Sequence, residues 1–345
     1  IVGLSALRIN VGLCILAGLT ALGLLALGRS GFTATLASTL ADWRTWEITL
    51  SVALVAVLGS LMAEGGQIED IAEGLRAMGV RGRSFVALGP AALGLLPVPG
   101  GAILSASAVE EEGRGMEMGR ERAALANLLF RHIIFFVYPI SPSMIFLAEA
   151  SGLDMRVLLA FLLPAFSANV LASYVTSLLG LRTRGQEEPR EGAGSSPARL
   201  ARGLGPIVLA PLLSLLGLSI LLSLATSIAV SISLMGGGRA KRALKALRRS
   251  KAFFFALPVF SAMLFRGVLM ASGIPELMAS SLSQAPLPEL VSWSLVSMAL
   301  GFTTGSPISA MSIVMPPPGS VGPVEAAAIY TGSILGYVIS PLHLC

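Results

Sequence analysis

Three groups of residues in this chain could do chemistry. The first is a pair of interruptions inside apolar stretches. One reads Pro97-Val98-Pro99-Gly100-Gly101 and is followed by Ser105. The other reads Thr303-Thr304-Gly305-Ser306-Pro307 and is followed by Ser309. Proline removes a backbone donor and clashes with the preceding turn. Glycine permits close approach and left-handed dihedrals. A helix starting after such a break presents free N–H groups that attract anions, and unwound carbonyls beside it can hold a cation. The second group is Asn127, Arg131 and His132, inside the apolar run Ala-Asn-Leu-Leu-Phe-Arg-His-Ile-Ile-Phe-Phe. Asn127 and Arg131 are one helical turn apart and share a face. Arg131 at membrane depth needs protein or water around it, and His132 titrates near neutrality and could relay a proton. The third group is a repeated string: Tyr138-Pro139-Ile140-Ser141-Pro142 and Tyr337-Val338-Ile339-Ser340-Pro341, with His343 two residues on.

Other chemistry is missing from the sequence. There is no His-Glu-x-x-His, no Cys-x-x-Cys and no phosphate-binding P-loop. Ser105 and Ser309 lack the Gly-x-Ser-x-Gly setting of a nucleophile elbow. The expectation is a protein that is not an enzyme, with no metal and no cofactor, whose work would draw on an H+ or Na+ gradient.

These residues have to be positioned by apolar elements. Of 345 residues 54% are hydrophobic and only 12% are charged, against roughly 25% charged in soluble domains, and the mean hydropathy is +0.81. That excludes a disordered chain and an ordinary cytosolic enzyme, and it leaves an all-α multi-pass membrane protein. Apolar segments fall at about 4–28 (a), 46–63 (b), 84–109 (c, broken at 97–101), 123–148 (d, broken at 139–142) and 156–181 (e). Residues 182–203, rich in Gly, Ser, Pro and charge, read as a solvated linker. Beyond it come about 204–235 (a′), 252–271 (b′), 289–315 (c′, broken at 303–307) and d′ from near 324, broken at Ser340-Pro341. Arg266 in b′ and Glu325 at the start of d′ read as structural charges.

The second half repeats the first. Ala92-Leu93-Gly94 before Gly100-Gly101-Ala102-Ile103 answers Ala299-Leu300-Gly301 before Gly305-Ser306-Pro307-Ile308, and the two Tyr-x-Ile-Ser-Pro strings answer each other, roughly 200 residues apart. The expected organisation is a first membrane repeat at 1–181 (scaffold 1–80, transport part 84–181), the linker, and a second repeat at 204–345 (scaffold 204–275, transport part 289–345), truncated at its C-terminus. Residues 239–251 carry seven basic side chains and no acid, a cytoplasmic signal and an amphipathic surface helix. The matching loop, Arg29 to Glu47, is balanced. That contrast suggests inverted insertion of the two repeats of about five elements each. If the broken c segments are re-entrant hairpins, the span count becomes even and the inversion fails.

Several strings here resemble the signature of DUF401, a family of prokaryotic membrane proteins of unknown function. They are Gly94-Leu95-Leu96-Pro97-Val98-Pro99-Gly100-Gly101-Ala102 with Ser105-Ala106, Asn127-x-x-Phe130-Arg131-His132, Tyr138-Pro139-Ile140-Ser141-Pro142, Gly301-Phe302-Thr303-Thr304-Gly305 and Ser340-Pro341-Leu342-His343-Leu344-Cys345. The resemblance runs from about 60 to 345. The chain departs from the family pattern at Leu128-Leu129, where an aromatic pair is expected, and after His132, where an acid is expected. The family is grouped with the ion transporter superfamily. The resemblance therefore implies inverted repeats, re-entrant hairpins, a homodimeric scaffold and elevator-like movement of a transport domain.

The expected function is an ion-coupled secondary transporter of a small anionic solute, such as a carboxylate, in the plasma membrane. Pro99, Gly100, Gly101, Ser105, Asn127, Arg131, Thr303, Thr304, Gly305 and Ser306 would contact the solute. His132, Tyr138, Ser141, Tyr337, Ser340 and His343 would couple ions or gate. The partners would be the solute, the bilayer and a second copy of the chain, with no nucleic acid. A lipid-phosphate translocase is the alternative, with an intramembrane hydrolase behind it.

Overall fold

The computed structural model describes residues 10–95, 101–181, 196–284 and 286–343. Pro97, Pro99 and Gly100 of the first interruption lie outside them, as do Leu344 and Cys345. Among the described residues the regular structure is helical throughout.

Helix α1 (Val11–Ala41) opens with Asn10 accepting from the Gly12 amide. It is bent where Gly28 adopts φ 65°, a left-handed conformation that glycine takes without steric cost. Helix α2 (Trp43–Glu64) follows after one residue. The stretch Arg29 to Glu47, expected as a loop, is therefore mostly helix. Trp43 and Trp46 at its start are exposed, and the Trp46 indole donates to Leu40 O, which ties the two helices together at their junction.

Next come α3 (Gln67–Ala77), α4 (Gly82–Gly94), α5 (Gly101–Arg114), α6 (Arg120–Ile133), a single 3₁₀ turn at Ile134–Phe136, α7 (Pro142–Ser151) and α8 (Met155–Ser177). Beyond residue 195 the chain forms α9 (Ser196–Leu215), α10 (Ile220–Ser233), α11 (Arg239–Arg249), α12 (Ala252–Ala271), α13 (Ile274–Ser283), α14 (Glu289–Thr304), α15 (Pro307–Val314) and α16 (Pro323–Ile339).

Two segment boundaries differ from the expectation. Segment a′ is two helices, because Gly217 turns the chain at φ 102° between α9 and α10. Helix α9 also starts inside the supposed solvated linker. Its Ser-Pro start suits a first helical turn, and its basic residues meet the acids of α3: Arg199 pairs with Glu73, and Arg202 lies 3.4 Å from Asp70. Gly74 and Gly203 bring the two helices close, since a Cβ on Gly203 would sit 2.7 Å from Gln67 O. Charge read as solvation is here half of an interhelical pairing.

Among the described residues five helices are long and apolar enough to cross a bilayer: Val11–Ala41, Trp43–Glu64, Met155–Ser177, Pro197–Leu215 and Ala252–Ala271. The broken segments form shorter helices, from 8 residues in α15 to 17 in α16.

The chain divides into two compact units, each drawing on sequence from both sides of residues 182–195. One unit contains 10–53, 142–163 and 253–343. Its α14 packs along α16 and against α15, and α15 packs on α7. The other contains 54–141 and 164–252. There α4, α5 and α6 pack mutually, and α3 packs on α9. Its main core gathers Leu58, Met62, Ile71, Phe85, Ile140 and Leu224 with their neighbours.

Candidate functional site: a helix break and a buried arginine

In the first-named unit the chain breaks between α14 and α15. Thr304 ends α14, Gly305 turns at φ 61°, and Ser306 caps α15, its hydroxyl accepting from the Ser309 amide at 3.2 Å. Pro307 occupies the first helical position, where its missing N–H costs nothing. A Cβ on Gly305 would lie 2.7 Å from the Leu342 Cβ, so no other residue fits the turn as it stands. The break is therefore packed against the Ser340–His343 turn. Ser340 reinforces this by donating its hydroxyl to Phe302 O at 2.6 Å. His343 stacks on Tyr337 with ring centroids 4.1 Å apart, and its Nδ1 lies 3.3 Å from Val338 O.

Hydroxyls at the break differ in what they are free to do. Thr303 is exposed and bonds back to Ala299 O. Thr304 is buried, its Oγ1 2.6 Å from Leu300 O and 3.1 Å from Ser306 O. Buried serines elsewhere, such as Ser261, Ser297 and Ser333, also donate to the carbonyl four residues back. That habit spares them a desolvation penalty. Ser309 is different: it is 1% exposed and its Oγ has no hydrogen-bond partner among the described residues. It sits in the first turn of α15, where the residue four back is Gly305, in the non-helical turn. Ser227 and Ser292 also carry unpartnered buried hydroxyls, and so does Thr45, which like Ser309 is the third residue of a helix that follows a break.

The other unit holds the first-half residues. Arg131, near the end of α6, is 7% exposed, and its guanidinium donates to Ser105 Oγ on α5 at 3.3 Å. A Cβ on Gly94 would fall 2.5 Å from Arg131 O, so the end of α4 lies directly on α6. Gly101 begins α5. Asn127 is half-buried one turn before Arg131. His132 is buried, donates from Nδ1 to Leu128 O at 2.7 Å and meets Phe135 edge-on. The Tyr138 hydroxyl donates to Ile207 O at 3.2 Å, which fixes the α6–α7 connection to α9. The Ser141 amide closes a turn onto Tyr138 O at 3.1 Å, and the Ser340 amide closes the same turn onto Tyr337 O at 3.2 Å.

Sequence reasoning placed Arg266 as structural, and the geometry says how. Its guanidinium, on α12, is 6% exposed and makes no ion pair among the described residues. It donates instead to Ala150 O at 2.6 Å, Met315 O at 2.8 Å and Pro316 O at 2.8 Å. These carbonyls end α7 and α15, whose dipoles put partial negative charge there. The acceptors are backbone atoms, so no residue type announces them.

The family model described as "Protein of unknown function (DUF401)" matches residues 1–345. The chain belongs to the DUF401 family. A search of curated proteins finds no match for this DUF401 chain.

Proposed function

We propose that this DUF401 protein is an ion-coupled secondary transporter of a small anionic solute, a member of the ion transporter superfamily that moves its solute by an elevator-like motion in the plasma membrane. The observation that carries this reading is the Ser309 hydroxyl, buried and unpartnered at the start of α15. Irregular backbone in an apolar protein persists where it is enclosed or lines a wet cavity. A half-helix N-terminus beside a free hydroxyl is suited to a carboxylate. In the other unit, Arg131 with Ser105 supplies a positive charge held close to the start of α5.

Matched local geometry supports the duplication. Gly94 and Gly301 both lie against a carbonyl of the second helix on, Arg131 O and Ser333 O respectively. The two Tyr-x-Ile-Ser turns close with the same backbone bond. Gly101 to Ser105 and Gly305 to Ser309 have equal spacing. The contrast between the charge-balanced segment Arg29–Glu47 and the wholly basic 239–251 is compatible with inverted insertion.

The test is uptake of radiolabelled small carboxylates by purified protein in liposomes, with proton and sodium gradients imposed separately. Ser309→Ala and Arg131→Gln should each lower uptake about ten- to a hundredfold, the worth of one hydrogen bond to a charged group. Gradient-driven uptake that both variants leave at the wild-type rate would refute the assignment.

A further inference from the structure

Helix α11 has no part in either break, and its surface is unusual. It carries Arg239, Lys241, Arg242, Lys245, Arg248 and Arg249 and no acid. Three sectors follow from the helical period. One packs on the protein: Ala246 is fully buried beside Leu61 and Met235, with Ala243 partly so. A second is apolar and exposed, with Leu244 51% and Leu247 55% accessible. The third is basic. Within it, Lys245 and Arg249 are held by Glu64, at 2.7 and 3.0 Å. Lys241, Arg242 and Arg248 have no acid partner among the described residues. Lys241, Arg242 and Lys245 also border a cavity of about 500 Å³, whose other side is Glu64, Glu69 and the Gly65–Gly66 turn.

A soluble surface does not normally keep two leucines exposed between unpaired cations. An interfacial helix does, because its apolar side enters the acyl boundary and its basic side meets headgroup phosphates. The chain leads from α11 through Ser250 and Lys251 into α12, a candidate span, so α11 is next in sequence to a point where the chain would enter a bilayer. We propose that α11 is a docking surface for an anionic lipid leaflet. Leu244 and Leu247 enter the leaflet, while Lys241, Arg242 and Arg248 take lipid phosphates. The Glu64 bridges hold the helix to the end of α2 in the orientation that allows this.

The full chain would be placed in nanodiscs of phosphatidylcholine, with or without about a third phosphatidylglycerol. A dye would be attached at Ala240→Cys in a Cys14→Ser, Cys345→Ser background. Quenching by lipids carrying a shallow nitroxide reports contact with the leaflet. The anionic discs should give at least twofold more quenching, and Lys241→Gln/Arg242→Gln/Arg248→Gln should remove that increment. The attraction amounts to about 1 kcal/mol per basic residue, roughly fivefold in affinity. Leu244→Ser/Leu247→Ser should lower quenching in both compositions. The wild-type comparison needs no charge variant, so a folding defect cannot decide the outcome. Equal quenching in the two compositions overturns the proposal. So does a charge-neutral variant that behaves as wild type, or a dye that stays unquenched while the discs bind a polyanion such as single-stranded RNA.

Discussion

Arg266→Met tests how this fold tolerates a charge in its interior. The substitution keeps most of the side-chain volume and removes three donors from Ala150 O, Met315 O and Pro316 O. A hydrogen bond to a charged group is worth about 1.5–3 kcal/mol, so the gross loss is about 5–9 kcal/mol. Against this, the variant no longer buries an ionised group, a saving of several kcal/mol. The net expectation is a destabilisation of about 2–4 kcal/mol. At roughly 2–4 °C per kcal/mol, Tm should fall by about 4–16 °C. Thermal unfolding of the full chain in nanodiscs measures it, with Met263→Leu on the same helix as the volume-conserving control. The loop after α15, residues 315–322, should also become more susceptible to protease, because its first two carbonyls lose their anchor. Arg266→Lys should recover only part of the loss, since a shorter ammonium cannot reach acceptors on two helices as a planar guanidinium does. If Arg266→Met unfolds within a degree of the control and its loop is cut no faster, the guanidinium is not the tie between α7 and α15.

Two further outcomes follow from packing. Gly336→Ala should cost about 1–3 kcal/mol or more, because a Cβ there overlaps Met298 O on α14 and the α14–α16 contact must open; unfolding in denaturant would show the loss, whereas Gly205→Ala, with nothing near its Cβ, should leave the midpoint in place. Gln67→Leu should cost about 1–3 kcal/mol, because the buried amide both donates to Ser231 O at 2.9 Å and accepts from Ser231 Oγ at 2.8 Å, and hydrogen exchange of α3 should rise.

Hydropathy located the elements where an apolar run has polar ends. Segment b′ matches α12 residue for residue, because Lys251 and the Ser272-Gly273 turn bound it. The break at 303–307 was legible for a related reason: Gly305 takes a left-handed turn and Pro307 suits a first helical position, whereas proline alone does not stop a helix here, since Pro164 and Pro258 lie inside α8 and α12. Family membership was legible too, from strings such as Asn127-x-x-Phe130-Arg131-His132. The Arg29–Glu47 helix and the start of α9 were not. Both are polar enough to pass for loops, and the partner that α9 meets, Glu73 opposite Arg199, is distant in sequence. The role of Arg266 was hidden because its acceptors are carbonyls. Ser309 was visible as a hydroxyl near a break, but only coordinates separate it from Thr303, which spends its proton on its own helix.

If Gly94 answers Gly301 and Ser105 answers Ser309, then the residue laid against the glycine is Arg131 in one copy and Ser333 in the other. Arg131 sends its guanidinium to Ser105. Ser333 turns its hydroxyl back to Ile329 O and leaves Ser309 with nothing. One backbone device thus occurs in two electrostatic forms: a hydroxyl already committed to a fixed cation, and a hydroxyl still available. Under the proposed function, the copy that holds Arg131 would select an anion bound at its own helix start, and the copy that holds Ser309 would offer a hydrogen bond to a solute bound at its own break. Losing the charge should then broaden selectivity towards neutral solutes, and losing the hydroxyl should weaken binding of all of them alike.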